Sequence, residues 1–342
     1  MKKRIIFFTI LIAVFIALMA ITAALTIPVI PADSIGMLDT YTRNKPDAEI
    51  TVAIISDGNV TYKAYGKGAK EIEVPERGYE IGSITTTFTG VMMSRAVGEE
   101  RVRLKDKVSD HVVLNTGTYA PSIFELVTHT SAYGSYPGYS KLKYNSGKNP
   151  FTGTDYPGVI TIMDDFRLNQ TPPYLYCYSD FGATVAGIVL EDSYGVEYFS
   201  ILESFLKELG MENTYVAISK DAAVENGWIW LATDEYISSY GLTSTAADMA
   251  KYAMMYLSGD NQDFLRAVTP LVEVNMENNI GYFWGIGLDG IVRKTGTTAS
   301  YACAVNMDIK NRNGVIVMSN YPNDRFGNVG SIADCIMNES FS

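Results

Sequence analysis

"YEIGSITTTFTG", Tyr79 to Gly90, places a serine directly after a glycine where a helical run begins. A fold that presents a hydroxyl at a helix N-terminus puts it beside unpaired amides that favour developing negative charge. A serine hydroxyl is nevertheless a weak nucleophile until a neighbour takes its proton. From Ile84 to Gly90 the side chains are isoleucine, threonine and phenylalanine, none of them a base. If Ser83 reacts, its proton acceptor comes from elsewhere in the chain.

Outward from this stretch, "SIGMLDTYTRN" from Ser34 reads as a helix. "AEITVAIISDGNVTYKAYGKG" reads as two strands turned at Asp57-Gly58-Asn59. Near the other end, "YACAVNMDI" alternates, with Tyr301, Cys303, Val305 and Met307 on one face, and Asn313-Gly314 is expected to turn the chain into "VIVMSN". These strands are expected to share one antiparallel sheet, closed by a helix over about Val329 to Met337. Between the ends the period becomes helical: Phe199, Leu202, Phe205, Leu206 and Leu209 recur at helix spacing, and Gly210 follows as the stop. Ser131 to Tyr176 carries seven tyrosines among Gly, Pro and Asn and reads as a long loop, either the rim of a cleft or ordinary loop packing.

The 342 residues suffice for a sizeable core. Met1 to Arg4 is basic, and Ile5 to Ile30 is an apolar run long enough to cross a bilayer, interrupted by threonines and Pro28. It is expected to be an uncleaved membrane anchor, with a cleaved signal segment as the alternative; in either case residues 31–36 are a linker and the remainder is exported. The formal net charge is −11 and grows more negative without the basic tail, which excludes nucleic acid as a natural partner. Cys177, Cys303 and Cys335 show no metal-site spacing, and neither do His111 and His129. No metal or cofactor is signalled. "GIGLDG", Gly285 to Gly290, matches a dinucleotide fingerprint, but strand-like "IVRKTG" follows where a helix is required.

Four separated pieces carry chemistry together: Gly82-Ser83-Ile84-Thr85-Thr86, "LVTHTS" at Leu126 to Ser131, Tyr178-Ser179-Asp180, and Lys294-Thr295-Gly296. In this order they resemble the serine β-lactamase and penicillin-binding protein family, especially its class C β-lactamase, D-alanyl-D-alanine carboxypeptidase and esterase branch. "LKDKVSDHV", "ELGMENT", "GLTSTAADMAKY" and "YFWGIGL" are similar to further family landmarks, so the resemblance spans about residues 36–342. It implies an α+β fold: an antiparallel sheet flanked by terminal helices (about 37–115 and 245–342) and a helical lobe (about 116–244).

The resemblance also implies roles. Ser83 is the expected nucleophile, with its own amide and that of Thr297 as the oxyanion hole. Tyr178 is expected to exchange protons, and Lys294 to lower that phenol's pKa and, with Thr295 and Gly296, to attract a substrate carboxylate. His129 falls in a structural element of the family, and Trp284 is expected in the core. The sequence departs from the pattern twice. The lysine expected one helical turn after the serine is Thr86, and the asparagine expected after the tyrosine is Asp180. Asp180 is expected to bind substrate, to pair with Lys294 and keep it charged, or to replace the missing base. Two functions follow: an exported, membrane-anchored serine hydrolase of weakened activity, acting on a β-lactam, a D-alanine peptide or an ester; or a catalytically degenerate binder of carboxylate-bearing, peptidoglycan-like peptides.

Overall fold

Ile50–Ser56 (β1) and Asn59–Tyr65 (β2) form an antiparallel hairpin in which Ser56 pairs with Asn59. Asp57 and Gly58 lie at φ 44° and 81°, the left-handed pair that fits a two-residue turn to the twist of its strands. In this computed structural model Asn59 therefore belongs to β2 and not to the turn. The structure describes residues 12, 15, 31–134, 148–168, 171–172, 174–275, 278–325 and 327–341.

The remaining strands are Glu71–Ile72 (β3), Tyr79–Glu80 (β4), Tyr215–Val216 (β5), Leu242–Ser244 (β6), Val272–Asn275 (β7), Asn278–Ile280 (β8), Gly285–Gly287 (β9), Val292–Thr297 (β10), Ala302–Asp308 (β11) and Asn313–Ser319 (β12). Nine of the strands form one antiparallel sheet in the order β3-β2-β1-β12-β11-β10-β9-β8-β7; β4, β6 and β5 form a small second sheet. Asp308 pairs with Asn313 and Met307 with Gly314. The connection from β11 to β12 is thus 309–312, with Arg312 at φ 58°, and Asn313-Gly314 is not the turn expected from the sequence. "GIGLDG" contributes β9 and a turn into β10, with no helix after it.

Helices Ser34–Thr42 and Val329–Phe341 cover one face of the sheet, where Leu38, Tyr41, Val52, Ala304, Val317, Ile332 and Ile336 share a core. Ala53, Ile55, Cys303, Val305, Ile316 and Met318 point to the other face and join the larger core built with the internal helices. The alternation of "YACAVNMDI" predicts one buried face; both faces of β11 are buried because the sheet is a middle layer.

Helix Asp180–Tyr194 is buried from Asp180 through Leu190, capped by the Ser179 hydroxyl and stopped at Gly195, φ 71°. It packs on helix Thr85–Gly98, which in turn meets the sheet through the short turn Gly82–Ile84. Helix Tyr198–Glu208 buries Leu202, Phe205 and Leu206 as the sequence period requires. The expected long loop contains a ten-residue helix, Tyr156–Asp165, with Asp155 accepting from the Gly158 amide, a proline in the first turn, and Val159 and Met163 buried. Residues 135–147 of that loop lie outside the described residues. So does the apolar segment 5–30, apart from Ile12 and Phe15; among the described residues no helix is long and apolar enough to cross a membrane.

Phe88, on the inner face of helix Thr85–Gly98, stacks on Tyr252 with ring centroids 3.9 Å apart and planes within 7°. Both side chains are fully buried. Phe88→Ala is expected to cost about 3–5 kcal/mol of stability, measurable as a lowered urea midpoint with an unchanged denaturant slope.

Candidate active site

Ser83 is held by two glycines. Gly82 sits at φ 53°, and a Cβ there would lie 2.6 Å from the Thr297 amide nitrogen. A Cβ on Gly296 would lie 1.9 Å from the Ile81 carbonyl oxygen and 2.9 Å from the Ser83 amide nitrogen. Only backbone against backbone fits here, so the turn carrying Ser83 is clamped onto the end of β10 and the Ser83 and Thr297 amides are brought to one place. Among the described residues β10 pairs with β9 through Val292 and Arg293 alone, leaving the β10 edge beyond them along the wall of a cleft.

That cleft measures about 470 Å³ and collects Ser83, Tyr178, Asp180, Lys294, Thr295, Gly296 and Thr297 from the motifs. Thr86 is not among its lining residues. It is fully buried one turn behind Ser83, and its hydroxyl donates to the Ser83 carbonyl at 2.8 Å. Where a lysine was expected, the polar group is spent on the helix's own backbone.

The Ser83 side chain lines the cleft beside Tyr178 and Asp180, where it acts to lower the pKa of each. Tyr178 donates its hydroxyl to Asp180 Oδ1 at 2.6 Å, and Tyr240 donates to Oδ2 at 2.7 Å. Asp180 is the first residue of its helix and 1% exposed. Burial raises its pKa, opposed by the bonds from the two phenols, the charge of Lys294 and the neighbouring Ser83 hydroxyl. Tyr178 is pushed well above the ordinary phenol value, first by burial and then by the Asp180 carboxylate.

One expectation about Lys294 is corrected. Its ammonium donates to the Phe283 carbonyl at 2.8 Å and lies 4.9 Å from the centroid of the Tyr178 ring, over its face. Burial, followed by the Asp180 carboxylate, raises the phenol's pKa. The expected direct ion pair with Asp180 does not form among the described residues. Burial brings the Lys294 pKa down to about 7, with Asp180 holding it up only in part.

His129, at φ 57°, accepts from the Ser179 amide through Nδ1 at 3.1 Å and packs on Tyr178 with ring centroids 4.5 Å apart. Burial, then Lys294, keeps it neutral well below the ordinary histidine value. It braces the tyrosine. Trp284 is fully buried and donates to the Tyr256 hydroxyl at 2.9 Å. Sequence reasoning missed Tyr240 and the Phe283 carbonyl. Tyr240 belongs to no motif, and a backbone carbonyl leaves no mark on side-chain identity; the residue that presents it, Phe283, lies at φ 62°. All three cysteines are free thiols.

The "Beta-lactamase" family model matches residues 38–333. The chain belongs to the serine β-lactamase and penicillin-binding protein family. A β-lactamase of Pseudomonas fluorescens is 21% identical over 263 residues, covering 73% of this chain and 68% of the relative. One of Providencia stuartii is 23% identical over 222 residues, covering 59% of this chain but only 54% of the relative. Among solved structures, a β-lactamase/D-alanine carboxypeptidase from Yersinia pestis superposes with a TM-score of 0.72 at 17% identity, covering 89% of this chain and 97% of that one. An octameric penicillin-binding protein homologue from Pyrococcus abyssi gives 0.66 at 22% identity, over 85% and 72%. These likenesses establish the family's α+β fold for this chain.

Gly296→Ala tests the clamp. Forcing a methyl group between the Ile81 carbonyl and the Ser83 amide is expected to cost about 3 kcal/mol, read by chemical denaturation, and to separate the two amides even where the domain still folds.

Proposed function

We propose that this protein is an exported serine hydrolase in which Asp180 takes the place of the missing lysine as the proton acceptor for Ser83. The observation that carries this reading is a buried carboxylate, held by two phenols, in the same cleft as the Ser83 side chain. The Ser83 oxygen attacks a substrate carbonyl while its proton passes to Asp180. The Ser83 and Thr297 amides stabilise the oxyanion, and the leaving group departs with a proton returned through Asp180 or Tyr178. Water then hydrolyses the acyl-enzyme. The substrate class is a β-lactam, a D-alanine-terminated peptide or a small ester, with Lys294 and Thr295 attracting a carboxylate. The basic Met1–Arg4 and apolar Ile5–Ile30 support an anchor holding the domain outside the cytoplasm, or a signal removed after export.

A second reading, a binder that no longer turns over, is favoured by Thr86, whose hydroxyl is committed to its own helix. Intact-protein mass after incubation with a penicillin and, separately, a fluorophosphonate distinguishes them. The hydrolase gives an adduct on the folded parent that is absent from Ser83→Ala. No adduct with either probe, while a carboxylate-bearing peptide still binds, supports the binder.

Asp180→Asn is expected to slow acylation by about 10²–10⁴-fold, the usual worth of a general base. Thr86→Lys added to it should recover much of the loss by restoring the family's own pair. A double variant that folds but stays as slow as Asp180→Asn refutes the assignment.

The pH profile has two parts. Acylation should fall as pH drops through the raised pKa of Asp180, because protonation removes the acceptor. Above about 7, Lys294 loses its charge, so KM for a carboxylate-bearing substrate should rise while that for a neutral ester stays flat.

A further inference from the structure

A second cavity, of about 380 Å³, opens in the helical lobe and shares no lining residue with the cleft. It lies where the starts of helices Tyr156–Asp165 and Tyr198–Glu208 meet the later part of helix Asp180–Tyr194 and the segment before Ile237–Tyr240. Among the described residues five carboxylates line it, Asp155, Glu191, Glu197, Asp234 and Glu235, and no lysine, arginine or histidine does.

Three of the five are explained by the fold. Asp155 accepts from the Gly158 amide at 3.0 Å, Glu191 from the Tyr198 amide at 2.6 Å, and Asp234 from the Gly153 and Leu231 amides at 2.6 and 2.8 Å. Glu235 is different. It is 6% exposed, and no hydrogen bond or ion pair reaches its carboxylate among the described residues. With no protein partner, its charge is answered by a proton or by whatever fills the cavity.

The carboxylates ring the cavity without converging, and among the described residues no group of three is placed to hold a metal ion. The space suits a larger cation. Tyr156 and Phe199 add aromatic surface to the wall, which suits an ammonium or guanidinium head on a short alkyl chain. We propose that this cavity is a binding site for a small organic cation, an alkyl ammonium or guanidinium compound, with Glu235 as the buried counter-charge.

Without an occupant Glu235 holds its proton up to a pKa of about 8, through burial first and then repulsion from Glu191, Asp155, Glu197 and Asp234. The hydroxyls of Tyr156 and Tyr198 complete the titratable groups around it. A bound cation stabilises the ionised form, so binding at pH 7 releases a proton to solvent and tightens as pH rises towards 8.

Titration calorimetry of the full chain with agmatine and with cadaverine, at pH 7 in two buffers of different ionisation enthalpy, tests this. The expected result is saturable one-to-one binding with release of about one proton, weakened about 10–100-fold in Glu235→Gln, the worth of a hydrogen bond to a charged group. Glu197→Gln, a change at the exposed rim, should weaken binding less and keeps the test open if Glu235→Gln does not fold. Absence of saturable binding, binding without proton release, affinity unchanged in the folded variants, or displacement of the amine by millimolar calcium would each overturn the proposal.

Discussion

Backbone pressed on backbone, at Gly296 against the Ile81 carbonyl and the Ser83 amide and at Gly82 against Thr297, is the constraint on which the rest of the molecule depends. The sheet contributes β10, the helical body contributes the turn that starts helix Thr85–Gly98, and this contact is where the two become one object. Each glycine has its own reason. Gly82 needs a left-handed φ as well as space, whereas Gly296 sits in an ordinary strand and is there only for the room a missing side chain leaves. The long antiparallel pairings of β1, β12, β11 and β10 make the sheet rigid enough to serve as the anvil.

Behind that contact lies a buried polar web whose centre is Asp180. Placing a carboxylate on the first turn of a helix is electrostatically favourable, since the exposed amides of the N-terminus carry partial positive charge. Two phenols then supply hydrogen bonds that water no longer can, and Lys294 adds its field from across the cleft. The same burial that makes Asp180 a stronger base makes Lys294 a weaker acid-holder, so the two residues are tuned toward one another from opposite ends of the pH scale. Thr86 and Asp180 are the two departures from the family's pattern, and with no ammonium one turn after the serine the charge acting on Asp180 is that of Lys294.

Much of this was legible before any coordinates. Ser83, Tyr178, Asp180, Lys294 and Thr297 reach the cleft from three distant parts of the chain, and the order of short motifs was enough to place them on one family's plan. The hairpin and the terminal helices followed from period and turn chemistry. Other features were hidden for physical reasons. Asn313-Gly314 has the composition of a turn, yet tertiary pairing with Met307 and Asp308 overrode that preference. Helix Tyr156–Asp165 starts with Tyr-Pro-Gly, which reads as a loop until Asp155 is seen to cap it. The direction of the Lys294 ammonium and the bond from Tyr240 depend on three-dimensional packing that spacing along the chain does not encode.

The central position of β1 bears on how such a chain must be made. β1 is paired on one side with its immediate neighbour β2 and on the other with β12, where Ile50 meets Ser319. Among the described strands the first to leave the ribosome thus waits for the last before its second edge is covered, and contacts so remote in sequence form slowly. The sheet is therefore completed only late in synthesis, and until then the exposed β1 edge is a surface that can pair with other chains.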